Sequence, residues 1–394
     1  MRKFFLTLVL LPIAVAIGWW YFREQPLPNY GPAYREYAYV TNGKSNTVSV
    51  IDLRTFEPTK TIPVGLEPTG VAANSRKNEI YVVNTGSNNV SVIDAEQNAV
   101  VATIGVHGRP YFIDVSADGK RGYVANSGSA NVSVIDLEKR TVIGNIRVGI
   151  SPGRARVSPD GTTVVVTNRG DNTVTLIDAR LLHVRATLPV CQQPEDIAML
   201  PDSSKAFVTC SGSAQVASID LKNDHVLALL DVGRTPVSLV VKPDGGELIV
   251  CEFDSDSISI IETANDEVGG STLIGQHPAR GVVTLDNSRL YVSNFGSDTV
   301  AVYDIDLGRR IATLPVGSRP EGLALSQSQN YLLVLDTQSG DVTVIQKRKP
   351  KKLEPTEYSL LTMIPVGMQP NGIAVKAFSV HPSKGVRHDL RRPQ

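Results

Sequence analysis

Cysteine is scarce in this chain and is never closely spaced: Cys191, Cys210 and Cys251 are the three in 394 residues. No CxxC or CxxCH occurs, which argues against a covalent c-type haem and a thiolate metal centre. Three cysteines allow at most one disulfide. A Cys191–Cys210 bridge requires Cα atoms within about 7 Å; that bridge and three free buried thiols both fit the sequence. An excess of charge of one sign is also lacking. Lys plus Arg and Asp plus Glu number 39 each, so overall charge gives no footprint for nucleic acid, and no such partner is expected. Helical periodicity is missing, as are HExxH, phosphate-loop, calcium-loop and Ser-His-Asp patterns. No motif commits the chain to an enzyme.

Long apolar runs are confined to the N-terminus. Arg2 and Lys3 precede an uncharged stretch from Phe4 to Phe22, closed by Arg23. Ala14-Val15-Ala16 fits the small-x-small cleavage site of a signal peptide. The same stretch is also long enough to span a bilayer, with Trp19, Trp20 and Tyr21 at the interface. That aromatic cluster favours the uncleaved anchor. Either way the remainder is expected on the periplasmic or extracellular side, with the membrane as a partner through residues 1–22. Residues 23–36, with Pro26, Pro28 and Pro32, read as a linker.

What the chain has in quantity is a repeat. Asn42, Asn84, Asn126 and Asn168 each end a short β-prone run, and the same place is taken by Cys210, Glu252, Asn294 and Asp336, 42 residues apart throughout. A carboxylate closes the next run at Asp52, Asp94, Asp136, Asp178, Asp220, Glu262 and Asp304, with Gln346 in the eighth place. Prolines keep the same register at Pro68, Pro110, Pro152, Pro194, Pro236, Pro278 and Pro320; Pro370 follows after an eight-residue insertion. Each unit reads as four strands of alternating β-branched and small residues separated by turn signals. Four short strands at this period are the signature of a propeller.

The strand count predicts an all-β, eight-bladed propeller over residues 37–376. The chain begins with a second strand near Tyr37 and ends with an inner strand at 371–376, so the C-terminal strand completes the N-terminal blade and removes an exposed edge. Residues 377–394 form a basic tail. The Asn and Asp that end the strands are expected to bond backbone N–H groups of their turns.

Tyr39-Val40-Thr41-Asn42 with Ser49-Val50-Ile51-Asp52, repeated as Tyr81-Val82-Val83-Asn84 and Ser91-Val92-Ile93-Asp94, resembles the YVTN family of β-propeller repeats. The resemblance covers most of the chain and implies the fold. It leaves the activity open, since such repeats occur in surface-layer proteins and similar propellers hold haem d1 or quinone cofactors. Many members have seven blades, so eight departs from the common pattern.

Chemistry is expected where copies differ. The Val-Gly-x-x-Pro segments form one rim of the central channel, on the side of the second-to-third-strand turns. There His107 and Cys191 replace Gly, while Arg109, Arg234, His277 and Arg319 occupy the variable positions. Glu195 and Glu321 follow their prolines directly. Arg154, Asp196 and Arg280 stand two residues after the proline, and Asp114 and Arg156 stand four after. A ring of arginines focuses positive potential and matches carboxylates or phosphates bidentately, which predicts an anionic ligand. The alternative is that these arginines pair with Asp114, Glu195, Asp196 and Glu321 and bridge blades. Cys210, Cys251 and Glu252 also break the repeat and are further places to look.

Three functions follow. The first is an exported, membrane-tethered binding or scaffold module, whose partner is another exported protein or an anionic small molecule. By resemblance, the second is a haem d1-like tetrapyrrole or quinone protein with His107 or His277 as an axial ligand. The third is a propeller lactonase or lyase with Asp114, Glu195, Asp196 or Glu252 around a divalent ion. Lys347, Arg348, Lys349, Lys351 and Lys352 in the insertion, with Lys384, Arg387, Arg391 and Arg392 in the tail, are expected on the anchor's side of the disk, where they suit anionic lipid.

Overall fold

The computed structural model describes residues 31–348 and 357–380. Arg35–Phe378 form one compact unit. It consists of eight four-stranded antiparallel sheets, seven of them built from consecutive strands. In blade 3, for example, the inner strand is Pro110–Val115, the second Arg121–Asn126, the third Asn131–Asp136 and the outer Thr141–Arg147. The other inner strands begin at Pro68, Pro152, Pro194, Pro236, Pro278 and Pro320 for blades 2 and 4–8. Blade 1 is composite. Its second, third and outer strands are Tyr34–Asn42, Thr47–Asp52 and Glu57–Pro63, and its inner strand is Pro370–Ser379. The protein is therefore an eight-bladed propeller closed by its C-terminal strand.

The third strands explain why the blades stack. In Asn131–Asp136 every residue from Val132 to Ile135 is buried, because both faces of the blade meet a neighbour. The resulting core lies between blades. Tyr123, Val132 and Val134 of blade 3 pack with Ala155, Val164 and Val166 of blade 4. At the closure, Ala38, Val40 and Ile51 of blade 1 pack with Leu333, Leu335, Val342 and Val344 of blade 8. Each such side chain contributes about 1.5–3 kcal/mol of burial. The third-to-outer ladder carries a bulge at the same place in blade after blade, for instance between Val134 and Ile135 in blade 3 and between Leu176 and Ile177 in blade 4. A bulge adds local right-handed twist.

The strand-ending Asn differs from expectation. Asn84 is fully buried, and its Nδ2 donates to Asn89 Oδ1 at 2.8 Å and to Ser91 Oγ at 2.9 Å. Asn42, Asn126 and Asn168 repeat this with Ser49, Ser133 and Thr175. The amide nitrogen thus clamps the third strand through side chains, while in blade 1 the Asn42 Oδ1 also accepts a backbone N–H, from Gly367 at 3.1 Å in the loop before the inner strand. The Asp residues behave as expected: Asp136 Oδ1 accepts the Glu138 and Lys139 N–H groups at 3.0 and 2.8 Å. Blade 8 places two carboxyls where blade 2 has Asn84 and Asn89. Burial, with Asp341 beside it, pushes the Asp336 carboxyl up to about 8. A proton held on this pair would take the place of the missing amide hydrogen.

The propeller's terminal strands run slightly beyond 37–376. Tyr37 and Phe378 pack at 6.1 Å between ring centroids, and Glu36 Oε1 accepts the Gln327 N–H at 2.7 Å. These contacts hold residues assigned above to the linker and tail in the ladder. Of the residues outside the Arg35–Phe378 unit, 31–34 and 379–380 are described, and there the Val380 N–H donates to Ala33 O at 2.9 Å. The signal or anchor segment 1–22, linker residues 23–30, Lys349, Lys351, Lys352 and tail residues 381–394 lie outside the described residues. Among the described residues no helix is long and apolar enough to cross a membrane.

Candidate ligand site at the channel mouth

Both sets of loops expected on one rim are tied together there. The turn after each second strand hydrogen-bonds to the loop before its blade's inner strand, as Ser127 N–H does to Arg109 O at 3.0 Å and Phe253 N–H to Thr235 O at 3.0 Å. Strand ends and loops from all eight blades therefore surround one mouth.

The repeat-breaking cysteines belong to this framework. Cys191 and Cys210 form a disulfide with Cα atoms 5.5 Å apart. Cys251 is free and buried, and burial pushes its thiol up to about 12. Glu252 is fully buried as well. Its carboxylate accepts the Gly233 N–H at 2.7 Å, the Ser257 hydroxyl at 2.5 Å and the Ser259 hydroxyl. Such a carboxylate has its acceptor capacity filled by donors.

The chemistry that remains gathers around Asp196, in the inner strand of blade 5. Arg154 Nε lies 3.2 Å from Asp196 Oδ1 and Arg156 Nη2 lies 4.0 Å from it, both from blade 4. Arg280 Nη1, from blade 7, lies 3.7 Å from Oδ2. The Asp196 carboxylate also accepts the N–H groups of Ile197 at 3.0 Å and of Leu239 in blade 6 at 3.2 Å. Burial works to raise its pKa, but the fields of Arg154, Arg280 and Arg156 outweigh it and hold the carboxyl below its usual range. Asp196 thus faces three guanidinium groups at once, with Glu321 as a further counter-charge to Arg280. Against the pull of Asp196, burial first and then repulsion from Arg154 lower the pKa of Arg280. Its side chain is 32% exposed, so water touches it within the channel although protein encloses it. Asp114 joins from blade 3, accepting the Val157 N–H at 3.0 Å. Burial raises its pKa against the pull of Arg156.

Aromatic rings support the arginines. Arg154 Cζ lies 4.6 Å from the Phe112 ring centroid and Arg156 Cζ 5.4 Å. Arg169 lies over Tyr111 at 5.1 Å, a geometry that favours a cation. Gly153 gives Arg169 its room: a Cβ there would come within 2.7 Å of Arg169 Nε. The Nε atoms of Arg156 and Arg169 are buried without an acceptor among the described residues. Phe253 and Phe295 stand 5.9 Å apart, with His277 stacked on Phe253 at 4.6 Å.

These groups enclose a cavity of about 350 Å³, lined by Tyr111, Arg154, Arg169, Glu195, Asp196, Val237, Phe253, Ala279, Arg280, Phe295 and Glu321. A second cavity of about 470 Å³ shares Tyr111, Arg154, Arg280 and Glu321 and adds Phe112, Arg156 and uncharged residues of blades 1, 2 and 8. Both sizes suit a small organic ligand.

Of the residues singled out in the sequence, Arg154, Arg156, Asp196 and Arg280 come together, with Glu195 and Glu321 lining the same cavity. His107, Arg109, Arg234, His277 and Arg319 line neither of the two cavities. Arg109, His277 and Arg319 sit at left-handed backbone positions of the rim. Arg234 is spent on the Asp254 carbonyl at 2.7 Å, and Arg319 lies over the outer Phe295 ring at 5.4 Å. Tyr111 and Phe112 follow Pro110 within a rim segment but carry no charge to mark them, and Arg169, Phe253 and Phe295 lie outside the rim segments. The same repeat holds their signal. The residue after the strand-ending Asn position is Gly43, Thr85, Ser127, Ser211 or Thr337 in five blades, and Arg169, Phe253 and Phe295 in the other three.

Among solved structures, the chain is similar to the dihydro-heme d1 dehydrogenase NirN in complex with DHE, with a TM-score of 0.72 and 14% identity over 90% of this chain and 77% of that one. It is also similar to Kuenenia stuttgartiensis hydrazine synthase, with a TM-score of 0.58 and 22% identity over 71% and 95%. A functionally unknown protein from Desulfotomaculum acetoxidans DSM 771 gives 0.60 and 18% over 86% and 98%. Identities this low establish a shared fold and not a shared activity. No curated protein matches the chain. A family model does match, over residues 12–157 and 152–313, which together take in most of the propeller. The chain belongs to the YNCE-like β-propeller family.

Proposed function

We propose that this protein is an exported, membrane-tethered propeller that binds a small carboxylate-bearing molecule at the channel mouth. The observation that carries this reading is the convergence of Arg154, Arg156 and Arg280 on Asp196 at the edge of a ligand-sized cavity. Asp196 positions Arg154 and Arg280, while part of their charge stays available to a ligand. Isothermal titration of small carboxylates and inorganic phosphate tests it. Saturable binding of a carboxylate that weakens at least tenfold in Arg280→Gln is expected; no saturable binding, or binding indifferent to Arg280, counts against it. The apolar segment Phe4–Phe22 supports export and tethering. Membrane fractionation of the full chain tests that part, with recovery in the soluble fraction counting against the tether.

A tetrapyrrole or quinone is the second reading, favoured by the aromatic wall of Phe253 and Phe295 beside carboxylate-binding arginines and by the fold shared with a haem d1 dehydrogenase. The fit is partial. Arginines and rings suit a conjugated polycarboxylate, but among the described residues neither His107, His277 nor another histidine lines these two cavities. Protein purified from its native source without a visible absorption band would sink it. For the lactonase-like reading, Asp196 is taken by arginines and Glu252 by serines, a donor set that does not suit a divalent cation. Stoichiometric divalent metal in the purified protein would revive it.

A further inference from the structure

The cavity at the mouth is not simply cationic. Its three arginines share the space with three carboxylates, of which only Asp196 is buried against the arginines. Glu195 and Glu321 line the same cavity half-buried. Glu321 meets the Thr337 hydroxyl at 3.3 Å and acts electrostatically on Arg280. A polyanion would meet these two glutamates as like charges, whereas a ligand that also carries a cation would pair with them as its anionic end takes the arginines. Beside them, Phe253 and Phe295 offer aromatic faces, with the Phe253 ring braced by stacked His277. On the cationic side, Arg169 lines the same cavity and lies over the Tyr111 ring at 5.1 Å, beside Arg154 and Arg280 in its wall. Acid, base and aromatic wall thus surround one space of about 350 Å³.

We infer that the ligand is a zwitterion bearing an aromatic ring, an aromatic α-amino acid or close analogue. Its carboxylate sits on Arg169 and Arg280, its ammonium on Glu195 and Glu321, and its ring against Phe253 and Phe295. This rests on the reading of the mouth as a carboxylate-binding site and narrows it. A charge-assisted pair buried on binding is worth roughly a factor of ten or more in affinity, so each group can be removed and its loss read.

The test is calorimetric titration with phenylalanine, 3-phenylpropionate (no ammonium), phenethylamine (no carboxylate) and leucine (no ring). Phenylalanine is expected to bind at least tenfold tighter than each of the others. Glu321→Gln should narrow the gap between phenylalanine and 3-phenylpropionate, whereas Arg280→Gln should weaken both acids alike. Phe253→Leu should narrow the gap between phenylalanine and leucine. If 3-phenylpropionate binds as tightly as phenylalanine, the zwitterion is wrong while the carboxylate site stands. If no acid binds, both readings fall. Thermal melts of each variant show whether a loss reflects folding instead.

Discussion

Cys191 and Cys210 are bonded at the place where other blades juxtapose a glycine and an asparagine. In blade 2 these are Gly65 and Asn84, and a Cβ on Gly65 would lie 2.7 Å from Asn84 Cβ. Gly149 with Asn168 and Gly275 with Asn294 repeat the contact, always 19 residues apart, which is also the spacing of the two cysteines. The backbone approach that excludes a Cβ opposite Asn is thus the approach that lets two Cys side chains bond. The disulfide is a covalent version of a contact the fold makes elsewhere.

Reducing this bond should destabilise the protein by about 3 kcal/mol, the loop-closure value for a ring of this size. Cys191→Gly with Cys210→Asn should recover part of that loss, because it restores the pairing of the other blades, whereas Cys191→Ala with Cys210→Ala should not. Urea denaturation of the three forms checks the order; equal midpoints for both double variants would refute it.

Cys251 is fully buried, with its thiol pushed up to about 12. In the unreduced native protein no thiol should react with a thiol reagent at pH 8 within minutes. One should react in denaturant, and three after reduction in denaturant. Rapid labelling of the native state would contradict the burial.

Asp336 carries the opposite linkage from an ordinary carboxylate. Its folded pKa, raised to about 8 from 3.8, means that the native state holds a proton the unfolded chain releases. The stability this gives is complete below about pH 4 and is lost as pH rises toward 8. Asp336→Asn supplies the N–H permanently, so its Tm advantage over the parent should grow from pH 5 to pH 9. An advantage independent of pH would show that the Asp336–Asp341 pair shares no proton.

Asp196 has the usual sign. Its lowered folded pKa gives stability that is present above the ordinary Asp range and lost as pH falls through the folded value. Asp196→Asn leaves three guanidinium groups facing one another and should cost about 3–5 kcal/mol, the range for breaking a buried pair from one side. Adding Arg280→Met should return part of it. Denaturant titration of the single and double variants tests the coupling; additive losses would mean that the two side chains do not interact.

Gly153→Ala should push Arg169 off its position over Tyr111. Ligand binding is expected to weaken severalfold with Tm nearly unchanged, because the displaced guanidinium is at the mouth and not in the core. Unchanged affinity would remove Arg169 from the site.

The repeat made the fold legible because a propeller blade is a local object. In seven blades four consecutive strands pair with their chain neighbours, so a 42-residue period gives strand number and order from local pairing, and the strand left over at each end points to the closure of blade 1. Where chemistry would gather was partly legible for the same reason: Arg154, Asp196 and Arg280 are charged at an inner-strand position that the other blades fill with uncharged residues.

What the period could not supply was which departures meet. Arg280 reaches Asp196 past blade 6, where Ser238 holds the same inner-strand position with a short side chain. Arg109 and Arg319, equally conspicuous in the sequence, line neither cavity beside Arg154 and Arg280, and Arg319 lies instead in a neighbouring one with Phe295 and Glu321. That sorting depends on rotamers and on distances across a channel, which only the closed ring of blades sets. Phe253 and Phe295 face the mouth for the same reason. The sequence by itself determined a closed ring of eight equivalent positions; the tertiary structure decided that side chains from blades 4, 5 and 7 converge within it on one carboxylate.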